Sequence, residues 1–328
     1  MIDEIRTVAV VGSGYMGGGI AQTLAIAGFP VVIADASAEL AQAARERLID
    51  DADRFEASGV FAAGAGAAVR EHLTAAPDIE SAVAGADFVQ EAVSEVLAVK
   101  HDVLARIAAG APDGAIIGSN TSTIPVRELD SAVPHPERFL NVHWSNPAPF
   151  VPGVELIVGR HTDPAVIPIV KRMLTRAGRW GAEVADVPGF VLNRLQYVLL
   201  KEAASIVEEG IASIHDVDTI VRTTFGFRLA FFGPFAIADM AGLDVYANGF
   251  RTFEDAFGSR LAAPQVILDQ VAQGRHGVKT GGGMTGDVDP ERVRALEDYR
   301  ARAYSALLQL RSELGPSPLE GSVEEIAD

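Results

Sequence analysis

A histidine and a glutamate stand twelve positions apart in the segment 140-LNVHWSNPAPFVPGVELIVG-159. His143 ends one apolar run, and Glu155 lies in the next, beyond a loop broken by prolines. Proton transfer to or from a substrate needs a group that titrates near neutral pH, and histidine side chains do so. A carboxylate bonded to the other ring nitrogen would orient the ring and stabilise its charged form. The pair is therefore a candidate proton-transfer dyad, and the alternative is a strand-end histidine beside a solvated glutamate.

A glycine motif near the N-terminus predicts a nucleotide site. G-x-G-x-x-G follows the apolar run Thr7 to Val11 and precedes a helical pattern. In that setting the glycines allow a tight turn and close approach of the backbone to a pyrophosphate, while the helix offers free N–H groups. The predicted cofactor-binding residues of the motif are Gly12, Gly14, Tyr15, Met16 and Gly17.

Asp35 indicates which cofactor binds. It ends a second apolar run, Val31 to Ala34, at the spacing expected of a ribose-binding carboxylate. A carboxylate there accepts hydrogen bonds from both ribose hydroxyls of NAD and repels the extra phosphate of NADP. We therefore expect NAD. The alternatives are FAD, or a turn that binds nothing, with Asp35 capping the next helix.

The order of apolar segments predicts the architecture that must position these groups. Strand and helix patterns alternate to about residue 187, and from Pro188 onward the pattern becomes helical. We expect an α/β fold, with an N-terminal Rossmann-type doubly wound sheet followed by an all-α C-terminal domain. The predicted domains are residues 1–187 and residues 188–328, the latter with a loose acidic tail from residue 316. The stretch 274-GRHGVKTGGGM-284 is either a mobile loop or a linker.

Five motifs together resemble one enzyme family. They are the glycine motif, SNTS at 119–122, HWSNP at 143–147, Glu155, and PGFVLNR at 188–194. In this order they are similar to the L-3-hydroxyacyl-CoA dehydrogenase superfamily, over roughly residues 5–250. The resemblance implies hydride transfer between an alcohol or its ketone and NAD, in a cleft between a Rossmann domain and a helical domain that forms a homodimer.

The resemblance assigns roles to further residues. Ser122 and Asn193 match residues that contact the substrate oxygen and the nicotinamide region, and Asn146 matches a substrate-pocket residue. Glu95 and Lys100 match positions that contact the NAD ribose and nicotinamide side. Each has an alternative: Ser122 caps a turn, Asn146 belongs to a turn, Asn193 is structural, and Glu95 and Lys100 lie on a solvated helix face.

The substrate is where the chain departs from the acyl-CoA enzymes. In those enzymes the segment matching 40–73 is lysine-rich and helps to hold coenzyme A, whereas here it has no lysine and clusters Asp50, Asp51 and Asp53. The helical half resembles the non-CoA branch, which includes L-gulonate 3-dehydrogenase with lambda-crystallin, carnitine dehydrogenase and a pyridine-carboxylate dehydrogenase. A basic residue recurs there at the place of Arg228, which we expect to bind a substrate carboxylate, with Arg222 as an alternative.

Composition excludes other classes of partner. The formal net charge of −17 at pH 7 disfavours nucleic acid and anionic membrane surfaces. No apolar stretch is long enough for a bilayer, the N-terminus does not resemble a signal peptide, and there is no cysteine. We expect a cytoplasmic enzyme without a metal, acting on a small molecule.

These motifs and this composition are compatible with three functions. The leading one is an NAD-dependent dehydrogenase of a small hydroxy-carboxylate, with His143 as base. The others are an L-3-hydroxyacyl-CoA dehydrogenase with an atypical CoA site and a non-catalytic, crystallin-like NAD-binding protein. The apolar segment 225–246 is a candidate dimer interface, or ordinary core.

Overall fold

A computed structural model describes residues 2–318. Contacts between residues divide the chain into two compact units, Met1–Leu200 and Lys201–Asp328. The predicted acidic tail lies largely outside the described residues.

The first unit is built on one mainly parallel sheet. Its eight strands, within the described residues, run in the order β3-β2-β1-β4-β5-β6-β7-β8, and only the β6–β7 pair is antiparallel. The chain reverses direction across the sheet at β1, which lies between β2 and β4. Ligands of such sheets bind at this switch point, beyond the carboxyl ends of the strands. The strands are β1 (Val8–Val11), β2 (Val31–Ala34), β3 (Leu73–Ala75), β4 (Phe88–Glu91), β5 (Ile116–Ser119), β6 (Phe139–Trp144), β7 (Gly153–Val158) and β8 (Trp180–Ala185).

Helices cover this sheet and enclose two apolar clusters, as expected for a buried parallel sheet. Ser37 and Asp78 cap two of the helices by accepting hydrogen bonds from the backbone of the first turn. The helices are α1 (Tyr15–Ile26), α2 (Ala38–Ala57), α3 (Ala65–His72), α4 (Ile79–Val83), α5 (Leu97–Gly110), α6 (Val126–Leu129) and α7 (Val166–Arg176), and α8 (Leu192–Glu208) continues into the second unit.

The doubly wound α/β fold predicted from the sequence is confirmed. Two details differ from the expectation. The short elements β3 and α4, which were not predicted, follow α3, and α8 begins at Leu192 rather than at Pro188. The residues between form a turn, in which Gly189 and Phe190 both have positive φ angles.

The second unit is helical as far as residue 318, with one small hairpin at the end of the glycine-rich segment. Asp239, which is buried, accepts hydrogen bonds from the backbone N–H groups of Met284 (2.9 Å) and Thr285 (2.8 Å), and from the Thr285 hydroxyl (2.6 Å). These bonds hold the segment as an ordered hairpin. The elements are α9 (Ile214–Thr223), α10 (Phe225–Leu229), α11 (Pro234–Ala241), α12 (Leu243–Phe257), α13 (Gln265–Ala272), β9 (Gly282–Gly283), β10 (Gly286–Asp287) and α14 (Pro290–Leu314).

The helices of residues 2–318 are too short or too polar for any single one to cross a bilayer, although the bent pair Ile214–Leu229 and Pro234–Ala241 passes on length and composition alone. In the same part of the chain, no three His, Asp or Glu side chains converge as ligands for a metal ion.

Candidate active site

The sheet brings His143 and Glu155 together. The two residues are direct cross-strand partners in the antiparallel β6–β7 pair, which explains how twelve positions of separation become one contact. The ring Nδ1 of His143 lies 2.8 Å from Oε2 of Glu155. The two residues are only 6% and 8% exposed, so the alternative of a solvated glutamate is wrong.

Glu155 also anchors the start of α8. Its Oε1 accepts hydrogen bonds from the backbone N–H groups of Val191 and Leu192, both at 2.9 Å. Burial raises the pKa of Glu155, but the hydrogen bonds from His143, Leu192 and Val191 together bring that pKa below its ordinary value. Glu155 is therefore a carboxylate at neutral pH, with both oxygens committed.

Phe190 directs those two N–H groups at the carboxylate. Its φ angle of 49° lies in the left-handed region, which is rare for a bulky residue and marks local backbone strain. The side chain is 1% exposed, and its ring centroid lies 5.6 Å from that of His143. The strained turn thus packs a ring against the histidine and directs two donors at its partner. Only the conformation of the chain reveals this role, because the sequence carries no signal of a positive φ angle at phenylalanine.

The glycine motif has the geometry that a dinucleotide requires. A Cβ at Gly17 would overlap the carbonyl oxygen of Gly12, and one at Gly12 would lie 2.6 Å from that of Ala92. By contrast, no atom lies within 4 Å of a Cβ at Gly14, which caps α1 without a side-chain hydrogen bond. The turn is therefore closed towards the sheet and open towards the helix N-terminus, where a pyrophosphate would be held by free N–H groups.

Asp35 lies beside the same turn, at the carboxyl end of β2. Its Oδ2 accepts hydrogen bonds from the backbone N–H of Ser13 (2.6 Å) and from the Ser13 hydroxyl. Burial raises the pKa of Asp35, but the bonds from Ser13 and Ala36 lower it below its ordinary value. The ionised carboxylate fits the role of a ribose acceptor.

Glu95 holds the segment that carries Ser122. Its Oε1 accepts hydrogen bonds from the Thr121 hydroxyl (2.6 Å) and from the backbone N–H groups of Ser122 (2.8 Å) and Thr123 (3.0 Å). The side-chain amide of Asn193 donates to the carbonyl oxygen of Ser122 at 2.9 Å. Thr121, not Ser122, accepts the backbone N–H of Ile124, so the turn-capping alternative for Ser122 is wrong.

Lys100 belongs to a buried ion pair with Glu91 and also contacts Glu95. The Lys100 ammonium lies 2.8 Å from Oε1 of Glu91 and 3.4 Å from Oε2 of Glu95. Lys100 is 1% exposed and Glu91 is fully buried, so Lys100 does not lie on a solvated helix face. The Ser119 hydroxyl donates to the other oxygen of Glu91 at 2.5 Å. Burial raises the pKa of Glu95, but the Thr121 hydroxyl, Lys100 and two backbone N–H groups lower it below its ordinary value.

These groups surround one cavity of about 680 Å³ in the first unit. Of the residues predicted from the sequence, those lining it are Gly14, Tyr15, Met16, Glu95, Ser122, His143, Asn146 and Asn193. Glu155 and Lys100 lie behind this lining and act on it through His143 and Glu95. Gly12 and Gly17 shape the glycine turn, and Asp35 accepts hydrogen bonds from Ser13 of that turn. The catalytic and binding roles of these residues stay predictions.

The two predicted anchors belong to the second unit, and some contributors to the site were not predicted from the sequence. Arg222 and Arg228 belong to the second unit, in α9 and α10. Besides Phe190, the contributors without a predicted role are Glu91, at the end of β4, and Ser119, at the end of β5 and the first residue of the SNTS motif. Each is a polar residue at the carboxyl end of a strand that begins with apolar residues. That pattern is a usable signal, because the carboxyl ends of neighbouring parallel strands meet at one edge of the sheet.

The chain matches two protein-family models. The first is the NAD binding domain of 3-hydroxyacyl-CoA dehydrogenase, over residues 7–187, and the second is the C-terminal domain of the same enzyme, over residues 189–286. The chain therefore contains an NAD-binding domain.

Individual relatives extend the similarity over nearly the whole chain. The chain is 35% identical to the 5-formyl-3-hydroxy-2-methylpyridine 4-carboxylate 5-dehydrogenase of Mesorhizobium japonicum, covering 93% of this chain and 98% of that protein. It is 35% identical to the L-carnitine dehydrogenase of Pseudomonas putida, covering 94% of each. The solved structure of a 3-hydroxyacyl-CoA dehydrogenase from Archaeoglobus fulgidus matches with a TM-score of 0.78 and 30% identity, covering 94% of this chain and 99% of that one.

Proposed function

Because the chain belongs to the 3-hydroxyacyl-CoA dehydrogenase family and is an NAD-dependent dehydrogenase, we propose that it oxidises a small hydroxy-carboxylate with His143 as the base and Glu155 as its orienting partner. The observation that carries the proposal is the 2.8 Å contact between these two residues, at the wall of a cavity that also exposes Gly14 of the dinucleotide turn.

The proposed chemistry divides into a hydride and a proton. NAD, when bound, accepts the hydride from the substrate carbon. Glu155 accepts the Nδ1–H of His143, which leaves Nε2 free to take the proton of the substrate hydroxyl. The imidazolium that forms is stabilised by the Glu155 carboxylate until its proton is released to solvent. The second amide N–H of Asn193 can donate a hydrogen bond to the substrate oxygen as charge develops on it, and the Ser122 hydroxyl can do so by giving up its long 3.3 Å contact with Glu95.

Two observations support a substrate without coenzyme A. Asp51 and Asp53 lie on α2, where they pair with Arg54 (2.7 Å) and with Arg70, so two of the cations of this region are already paired with carboxylates. Two of the relatives are named for a pyridine carboxylate and for L-carnitine, not for a CoA ester. We further propose that Arg228 binds the substrate carboxylate. Within the described residues its guanidinium is paired with no acidic group, which leaves it available for such a ligand.

The test is a screen of NADH formation by absorbance, with parallel panels of free hydroxy acids, simple secondary alcohols and L-3-hydroxyacyl-CoA esters. We expect turnover of free acids alone, with KM raised in Arg228→Ala and unchanged in the matched control Arg251→Ala. Turnover confined to CoA esters would overturn the substrate proposal, and absence of turnover with every panel would favour the non-catalytic alternative.

We also propose that the protein is a homodimer assembled through its helical region. The support is the surface of α8, which has no buried residue along its length. Leu195 is 59% exposed, Tyr197 69%, Val198 68% and Leu200 65%, a larger run of exposed apolar side chains than a free helix usually carries. Sedimentation at micromolar concentration should give a dimer, and Val198→Asp should shift it to a monomer. A monomer for the unaltered protein would contradict the proposal.

A further inference from the structure

Two arginines border a second cavity in the first unit, which shares no lining residue with the catalytic one. Its volume is about 240 Å³. The walls are mainly apolar and include Ile26, Phe61 and Pro149, and the polar lining residues are Thr23, Arg176 and Arg179. Pockets for drug-sized ligands are usually larger than this, so an occupant would be small.

Arg179 is held at this cavity without a counter-charge. One terminal nitrogen donates to the carbonyl oxygen of Pro149 at 2.8 Å, while Nε is shielded from solvent and has no hydrogen-bond partner. Burial lowers the pKa of the Arg179 guanidinium. The residue as a whole is only partly buried, but a buried polar atom without a partner often indicates a missing ion or water.

Arg176, which is exposed, also lines this cavity and brings a second cation to its edge. Its guanidinium lies over the ring of Phe29, 3.9 Å from the centroid, and donates to the carbonyl oxygen of Gly28 at 2.7 Å. Among residues 2–318, no acidic side chain pairs with either Arg176 or Arg179. In a chain with 44 acidic and 27 basic residues, two uncompensated arginines at one apolar cavity form an unusual local site for an anion.

We propose that this cavity binds a small carboxylate with an aromatic or branched apolar body. Its oxygens would accept hydrogen bonds from Arg179 and Arg176, and its apolar part would lie against Phe61. Guanidinium groups bind carboxylates through strong, directional hydrogen bonds. The ligand would also contact Pro149, which belongs to the same loop as Asn146 of the catalytic cavity.

The test uses benzoate as the probe and benzamide as its neutral counterpart, in calorimetric titrations of the full-length protein without NAD at fixed ionic strength. We expect one saturable benzoate site that benzamide does not fill. Loss of one charge-assisted hydrogen bond predicts that Arg179→Gln weakens benzoate roughly tenfold or more. Arg160→Gln makes the same charge change at an exposed position and should bind as the unaltered protein does.

A second variant places a carboxylate in the cavity while keeping both arginines. Ala62 lines the cavity and Ala63, beside it, does not. Ala62→Glu should abolish benzoate binding and raise the melting temperature, whereas Ala63→Glu should do neither. The Ala62→Glu variant therefore tests whether benzoate binds in this cavity even if Arg179→Gln fails to fold.

The outcomes separate this site from the proposed substrate site. Benzoate binding that survives Arg228→Ala and is lost in Ala62→Glu supports the proposal. The proposal is overturned if benzoate shows no saturable binding, if benzamide binds equally, if Ala62→Glu binds as the unaltered protein does, or if Arg228→Ala alone abolishes binding.

Discussion

Replacing Glu155 by glutamine should move the ring proton of His143 from Nδ1 to Nε2 without disrupting the fold. Two backbone N–H donors, from Val191 and Leu192, point at Oε1, each at 2.9 Å. In Glu155→Gln that position must hold the amide oxygen, because an NH₂ group there would face two donors. The NH₂ group then takes the place of Oε2, 2.8 Å from Nδ1 of His143. It donates to Nδ1, so the ring proton moves to Nε2, and the nitrogen that faces the substrate can no longer accept a proton.

The size of the effect follows from the role that is lost. A positioned general base contributes about 10²- to 10⁴-fold, and the comparable carboxylate-to-amide change in serine proteases costs about 10⁴ in kcat. We therefore expect kcat to fall by about 10² to 10⁴, which is roughly 3 to 5 kcal/mol in activation free energy. Stability should fall by only about 1.5 to 3 kcal/mol, because one charge-assisted hydrogen bond is weakened and both backbone bonds are kept. NAD affinity should not change.

The assay is kcat from NADH absorbance at saturating substrate across a pH series, with NAD affinity and melting temperature measured on the same samples. Glu183→Gln is the matched control, since Glu183 lies on the adjacent strand β8, paired with Lys171 at 3.7 Å and remote in role from His143. The deficit in Glu155→Gln should shrink as pH rises, because hydroxide partly replaces the missing base. A folded Glu155→Gln variant with kcat within a factor of about three of the unaltered protein would refute the tautomer argument.

Three further predictions follow from the same site. Asp35→Asn should lower the affinity for NAD about tenfold or more and reduce the preference for NAD over NADP, because a charged acceptor for the ribose hydroxyls is lost. Both affinities can be measured by calorimetry, and an unchanged preference would contradict a role for Asp35 in cofactor binding. Lys100→Met should lower the free energy of unfolding in urea by about 3 to 5 kcal/mol, since it leaves Glu91 buried without its cation, and a loss near zero would contradict a stabilising role for the pair. Finally, the pKa of Glu155 and that of Glu95 are lowered on folding, so their stabilisation is complete above the ordinary value of 4.5 and is lost as pH falls through the lower folded values. Urea unfolding measured from pH 7 to pH 3 should show that loss below about pH 4.5. The free energy of unfolding should fall less steeply with pH in Glu155→Gln, and equal slopes in the two proteins would contradict the stabilising role of the Glu155 carboxylate.

The sequence pattern was sufficient to predict those features of this protein that depend on residues close together in the chain. The glycine turn is an example, because Gly12 and Gly17 are required by backbone contacts within one strand–turn–helix unit. The same holds for the alternation of strands and helices, since apolar periodicity is a local property. Both were predicted correctly, together with NAD as cofactor and the family.

Tertiary structure decided what depends on pairing between distant segments. The sequence marked His143 and Glu155 as candidates, but the antiparallel register of β6 and β7 makes them partners. Nothing local indicates that Lys100 would be buried against Glu91, or that Phe190 would turn with a positive φ angle to supply donors for Glu155. The physical reason is that hydrogen bonds and burial are set by which strand ends and loops meet in space, whereas sequence patterns report only which residues each element can place on one face.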